Sequence, residues 1–342
     1  MVAGLALTAA AQKTEKQVAT LQHGNQTMVF YGIDAFKQAY EAAADTLDVI
    51  TLSGGEFNVP NPISKSLAIY GAGCENDTIT GAQRTQLNGS IYLEPADVVD
   101  DDGYTTKAGR RVNGVHIEGV CLPYDNIFAN SNNNVPIYNL SIVKCDTRGI
   151  FFYVDCYDCV VRQSITYAIT SNNNYAHNLL VSNCYLGYNG TYFEFATPST
   201  IFIDHNVIRP YNISGNAAFR YTNNIVYQGL PIGSEASNNI FIDNYGNSTT
   251  NTEDGSWYNM RGQGVWADEN EDGTYAAYKT YELKYPARYI GTDGTVIGLH
   301  GGVYAWNKTP VIPRITECNI DTKDVNNGTL KVSIKAEAQT KE

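Results

Sequence analysis

Glu118, Arg162, Asp204 and His205 are side chains of the types that move protons, and they recur near one position of a repeated strand text. Counting three residues from the first inward position of each strand gives an outward column. It runs Tyr70, Glu94, Glu118, Val143, Arg162, Ser182, Asp204, Gln228 and Asp243, with Lys144 and His205 beside it. Carboxylates and an arginine on one groove could perform acid–base work. A calcium-dependent lyase would use such carboxylates for the metal and an Arg or Lys as base. Outward positions of a solvated sheet are polar for no catalytic reason as well, so the column leaves both readings open. The column one residue after the inward position includes His116, Ser141, Val160, Leu180, Phe202, Val226 and Phe241. It should also face outward, yet much of it is apolar. Either loops cover it, or Phe202 and Phe241, with Asp243 alongside, form a strip on which sugar rings stack.

A second candidate is DENEDG (268–273). Asp268, Asn270 and Asp272 followed by Gly273 match the opening of a calcium loop, in which three oxygen side chains converge and glycine makes the turn. The bidentate glutamate of such a loop would fall at Lys279, which cannot ligate. Calcium is therefore the one cofactor the sequence suggests, on half a motif, against a plain acidic turn. Of the seven cysteines, Cys156 and Cys159 form a CxxC with no second pair and no histidine at ligand spacing. Zinc is not expected, and most of the cysteines read as small buried hydrophobes.

The elements that must position these residues are short. DAFKQAYEAAAD (34–45) predicts a helix with Asp34 as N-cap and Phe36, Ala39, Tyr40 and Ala43 on one face. After it come strands whose first inward residues are Val49, Leu67, Ile91, Val115, Leu140, Cys159, Leu179, Ile201, Ile225 and Ile240. The steps are 18, 24, 24, 25, 19, 20, 22, 24 and 15, mostly near 22, the length of one coil of a parallel β-helix. The next inward positions, Ile69, Leu93, Ile117, Ile142, Val161, Val181, Ile203, Tyr227 and Ile242, are nearly all apolar. Cys145, Cys184 and Asn206 fall where strands turn, and an inward Asn206 is expected to bond the backbone of neighbouring coils.

The text from Ala35 to Gly73, with DVITLSGGEF and ISKSLAIYGAG, resembles the opening of right-handed β-helix proteins of the pectin-lyase-like superfamily. PARYIGTDGTVIGLHGG (286–302) resembles the last coil of secreted β-helix proteins common in gut Bacteroidetes-type bacteria. The resemblance implies an all-β, right-handed, single-stranded parallel β-helix over residues 30–305, capped by the N-terminal helix. Residues 306–342 follow as a linker and strand segment, with LKVSIKAEA (330–338) as the strand. The fold carries no activity with it. TIFIDHNVI (200–208) is similar to the WIDH strand of one pectate-lyase family at Asp204 and His205, without the tryptophan. The paired-aspartate and Arg-x-Lys signatures of polygalacturonases are missing, as is the pectinesterase set.

Composition narrows the partners. With 23 basic and 35 acidic residues the net charge is −12, which disfavours nucleic acid and anionic lipid. Twenty-five tyrosines and runs such as Asn172-Asn173-Asn174 suit hydrogen bonding and stacking. MVAGLALTAAAQ (1–12) reads as the later part of a secretory signal peptide, and no later stretch is apolar for long enough to span a bilayer. The expectation is a secreted, periplasmic or cell-surface protein whose partner is a polysaccharide or cell-surface glycan. The sequence contains no complete catalytic set, which favours a glycan-binding or scaffold role. The alternative is a polysaccharide lyase or glycoside hydrolase with a divergent site on the outward groove.

Overall fold

The computed structural model describes residues 17–44, 46–76, 82–95, 98–99, 105–106, 112–129, 135–171, 173–187, 195–209, 218–227, 235–242, 255–268, 274–309, 314–320 and 332–337. The helix forms at Ala35–Ala42 and buries Ala35, Phe36, Ala39 and Tyr40, the face its spacing predicts. Asp34 precedes it but makes no side-chain capping bond; its carboxylate accepts from Asn58 Nδ2 at 2.8 Å instead. The other end is closed by a cation. Lys65 Nζ donates to the carbonyls of Tyr40 (2.6 Å) and Ala43 (2.7 Å), where the helix leaves acceptors free and its dipole favours positive charge.

Strands dominate the rest, mostly in long parallel sheets. The first sheet has eleven strands. A hairpin, Val18–His23 and Gln26–Tyr31, forms one edge and pairs antiparallel with Thr46–Leu52. From there all pairings are parallel: Ser66–Tyr70, His116–Glu118, Ser141–Val143, Val160–Arg162, Leu179–Ser182, Thr200–Asp204, Ala218–Thr222 and Glu235–Ser237. The second sheet runs in the same order from Gly55–Asn58 through Val120–Ala129, Asp146–Phe152 and Tyr185–Gly187 to Trp257–Met260. A third sheet joins Ile137–Tyr138, Cys156–Tyr157 and Ala176–His177. The chain visits the sheets in turn, an arrangement compatible with a β-helix.

The register corrects four expected positions. Ile91, Ile225 and Ile240 belong to the second sheet, and the first sheet instead passes through Phe219 and the Glu235–Ser237 strand. Val49 pairs with Ala68, one residue out from the expected register, because the pairing shifts between Thr46 and Val49. A strand of isoleucine and valine reads alike in either sheet, so the spacing misassigned these positions. The inward column is therefore Ile50, Ile69, Ile117, Ile142, Val161, Val181, Ile203 and Tyr221, all fully buried or nearly so. Each such side chain contributes roughly 1.5–3 kcal/mol by leaving water.

At the turns after Thr200–Asp204, Ala218–Thr222 and Glu235–Ser237, an inward asparagine side chain replaces the missing ladder partners. Asn206 Oδ1 accepts from Cys184 N (2.8 Å), Asn224 Oδ1 from Asn206 N (2.9 Å), and Asn239 Oδ1 from Asn224 N (2.9 Å). Asn206 Nδ2 returns a bond to Val181 O at 3.0 Å, the role expected for it. The column continues as Ser164 and two cysteines. Cys74, Cys121, Cys145, Cys156, Cys159 and Cys184 are buried free thiols.

A second apolar core lies outside the sheets. Ile165, Tyr185, Val207, Ile225 and Ile240 on the second sheet pack with Val265, Trp266, Tyr281, Leu283, Tyr289, Ile297 and Leu299. Residues 286–302, read as a last coil, contain only a short 3-10 turn at Pro286–Arg288 among regular elements and join none of the parallel sheets. They form a strap laid across the molecule. The strand expected in LKVSIKAEA is Val332–Glu337, paired antiparallel with Arg314–Ile320.

Candidate functional site

The outer face of the first sheet carries two in-register columns. One is Ala68, His116, Ser141, Val160, Leu180, Phe202, Arg220 and Glu235; the other is Tyr70, Glu118, Val143, Arg162, Ser182, Asp204, Thr222 and Ser237. The first column is open, with Val160, Leu180 and Phe202 half-buried and Arg220 and Glu235 exposed. Arg220 lies 5.7 Å from the centre of the Phe202 ring and pairs with Glu235 at 3.1 Å. The second column is more covered, with Glu118, Val143 and Ser182 buried, and the strap is the reason.

Lys144, Gln163, Asn183, His205, Asn223 and Asn238 each follow a first-sheet strand and take positive φ, between 50° and 60°. This left-handed backbone aims every one of them at the strap. Lys144 Nζ donates to Thr309 O (2.7 Å), Gln163 Nε2 to Ala305 O (2.6 Å), and Asn183 Nδ2 to Gly301 O (2.8 Å). Further along, His205 Nε2 meets Thr295 Oγ1 (3.1 Å), Asn223 Nδ2 donates to Thr292 Oγ1 (3.1 Å), and Asn238 Nδ2 to Ile290 O (3.0 Å). The strap thus runs back over the repeats, one contact per strand. Its glycines permit the approach, since a Cβ on Gly301 would stand 2.6 Å from the His205 ring.

This covering decides what the proton-moving candidates can do. Glu118 is 3% exposed, with Oε2 3.1 Å from His116 Nε2 and Oε1 3.7 Å from Lys144 Nζ. Burial lowers the Lys144 pKa, and the Glu118 charge opposes that shift. His205 is fully buried, which removes it from contact with any substrate in this arrangement. Asp204 accepts from His205 Nδ1 (2.8 Å), Thr222 Oγ1 (2.6 Å) and Asn223 Nδ2 (2.9 Å). Desolvation opposes ionisation of Asp204, but these bonds and the His205 interaction outweigh it and hold its pKa below the ordinary value. Glu118, Arg162 and Asp204 do share one column, on alternate strands and so roughly 10 Å apart. Phe241 does not join it. Phe241 pairs with Val226 in the second sheet and is 1% exposed, so its ring has no open face for a sugar. Asp243, Asn270 and Asp272 lie outside the described residues; Asp268 is described, and no group of three metal-ligating side chains occurs among the described residues.

Sequence reasoning missed a surface beside the open column. On three successive repeats the chain reads Tyr138-Asn139-Leu140-Ser141, Tyr157-Asp158-Cys159-Val160 and His177-Asn178-Leu179-Leu180. The rings belong to the third sheet and stack on one another, Tyr138 to Tyr157 at 4.8 Å and Tyr157 to His177 at 4.3 Å. Asn139, Asp158 and Asn178 are exposed at the corner with positive φ, and Asn178 Nδ2 donates to Asp158 Oδ1 at 3.0 Å. Ser141, Val160 and Leu180 follow on the open column. Rows of ring edges, amides and aliphatic groups therefore run side by side. The signal was present in the sequence as an aromatic–Asx dipeptide just before each strand.

A third feature lies at the margin of the second core. Asp146 sits beside Cys121, whose thiol is 3.9 Å from Oδ2. Burial, then the nearby Glu75 charge, raises the Asp146 pKa to about 6, against the opposing pull of Arg84. Glu75 accepts from the Tyr275 hydroxyl and the Lys308 ammonium. Arg84 also lines an open cleft of about 470 Å³ with Glu56, Asn76, Gln83 and Gln86.

Comparison of the chain with family models, with curated proteins and with solved structures finds no match to any of them. No described helix is long and apolar enough to cross a membrane.

Proposed function

We propose that this chain is a right-handed parallel β-helix protein of the pectin-lyase-like kind, secreted or displayed at the cell surface, and that it binds a glycan. The observation that carries this reading is the repeated ring–Asx–aliphatic text at residues 138–141, 157–160 and 177–180. In-register stacking turns each position into a row, and parallel rows suit an extended polymer. Asn139, Asp158 and Asn178 supply exposed hydrogen-bonding groups for sugar hydroxyls. The stacked rings present edges and hydroxyls, and the half-buried Phe202 offers an aromatic surface further along.

Binding without chemistry is the reading the side chains favour. The carboxylates of Glu118 and Asp204 are held by neighbours beneath or beside the strap, and Glu235 is paired with Arg220 on the open column. The test is a glycan array with the wild-type protein, followed by a product assay on every hit. Tyr157→Ala and Asn178→Ala should each weaken a hit about tenfold, equivalent to about 1.4 kcal/mol. Unchanged affinity in both would move the ligand to another face, and release of product from a bound glycan would replace the binding reading with an enzymatic one.

A further inference from the structure

We propose that Arg162 and Ser182, roofed by Tyr304, form a site for a small carboxylate anion. The two residues are register partners on neighbouring strands of the first sheet, and their side chains share the outward column that the strap covers. Arg162 Nε and Ser182 Oγ are both buried without a hydrogen-bond partner. Ser182 is 4% exposed, so its hydroxyl has no ready alternative in bulk water. The Tyr304 ring lies over the Arg162 guanidinium at 4.2 Å. Among the described residues, no ion pair reaches that guanidinium.

The carboxylates that share the column are already engaged. Glu118, two strands away, faces His116 and Lys144. Asp204, two strands away on the other side, is held by His205, Thr222 and Asn223. Two unpartnered donors side by side, one of them cationic, call for an acceptor oxygen that carries negative charge, since a buried donor left unmade is costly. The two oxygens of one carboxylate can meet both. The site is distinct from the ring–Asx face, and it stands or falls without the glycan reading.

The probe is acetate, titrated against the whole protein and followed by thermal unfolding and calorimetry. Chloride at equal ionic strength and acetamide, of the same size without the charge, serve as controls. Acetate should raise the midpoint saturably, because a ligand that binds only the folded state stabilises it, and the controls should not. Arg162→Gln should abolish the shift. Ser182→Ala, which removes a small hydroxyl and keeps the arginine, should weaken acetate about tenfold. No shift beyond that of chloride in the wild type, as expected if a water fills the space, would overturn the proposal. An acetate shift in Arg162→Gln and Ser182→Ala undiminished from that of the wild type would overturn it as well.

Discussion

At the residue scale the most demanding side chains are the inward asparagines. Asn224 accepts from Asn206 N, and its own amide donates to Ile203 O at 2.8 Å and Asn239 Oδ1 at 3.1 Å. Alanine at this position would take these bonds from Asn206 N and the Ile203 carbonyl, at the end of the neighbouring strand and in the turn after it, in a fully buried place. Asn224→Ala should cost about 2–4 kcal/mol, read as a lower denaturant midpoint at unchanged slope. Asp146 makes a prediction of opposite sign. Its pKa is raised in the folded state to about 6, so the folded protein holds that proton more tightly than the unfolded chain does. Its contribution is therefore most favourable below about pH 4, declines as pH rises to about 6, and is flat beyond. Asp146→Asn should stabilise the protein at pH 7.5 and lose that advantage at pH 4, as denaturation at the two values would show. Asp204 runs the other way: its lowered pKa supports the fold at neutral pH and fails as pH drops through that value.

At the scale of elements, the strap depends on a row of left-handed residues and on glycines that admit it. Gly301 is the tightest of these, against the Val296 carbonyl oxygen first and the His205 ring next. Gly301→Ala should push the strap from the corner and expose Glu118 and Arg162 to solvent. Faster hydrogen exchange in residues 290–309, with exchange in Ile117, Ile142 and Val181 unchanged, would register this. The strap also marks where the sequence stops being legible. The inward column at Ile69 and from Ile117 to Ile203 could be read directly, because isoleucine and valine recur at a coil's length and each strand buries one face. The helix face was equally plain from Phe36, Ala39 and Tyr40. What spacing could not say was which sheet a strand such as Ile91–Leu93 or Ile240–Ile242 would join, since both sheets take the same apolar residues. Nor does PARYIGTDGTVIGLHGG declare that its partners are side chains at corners 52 to 118 residues earlier. Its glycines suggest turns, and only the positive φ of Asn183, His205 and Asn223 shows what the glycines make room for. Phe202 and Phe241 looked equivalent as outward aromatics until the register placed one on each sheet.

At the scale of the molecule, two cores share one sheet. The interior core is held by nearest-neighbour stacking of repeats. The outer core exists because Ile165, Val207, Ile225 and Ile240 face away from the interior and are covered by Val265, Trp266, Tyr281, Leu283, Tyr289, Ile297 and Leu299. The keystone of that cover is Trp266, fully buried, with Nε1 donating to Tyr227 OH at 2.5 Å and its ring edge-on to Tyr281 at 6.1 Å. Trp266→Ala should cost about 3–5 kcal/mol, and the loss should fall on the covering layer. The parallel strands beneath keep their ladder bonds and their inward isoleucines, so far-UV circular dichroism should change little. The uncovered face of the second sheet is a contiguous apolar surface, so a hydrophobic dye should bind it. Unfolding should then separate into two steps, the layer before the stack, with residues 262–268 and 274–306 exchanging hydrogen early. If instead dichroism, dye binding and exchange all report one transition, the two cores form a single cooperative unit, and the strap and cover are as integral to the fold as the repeats they enclose.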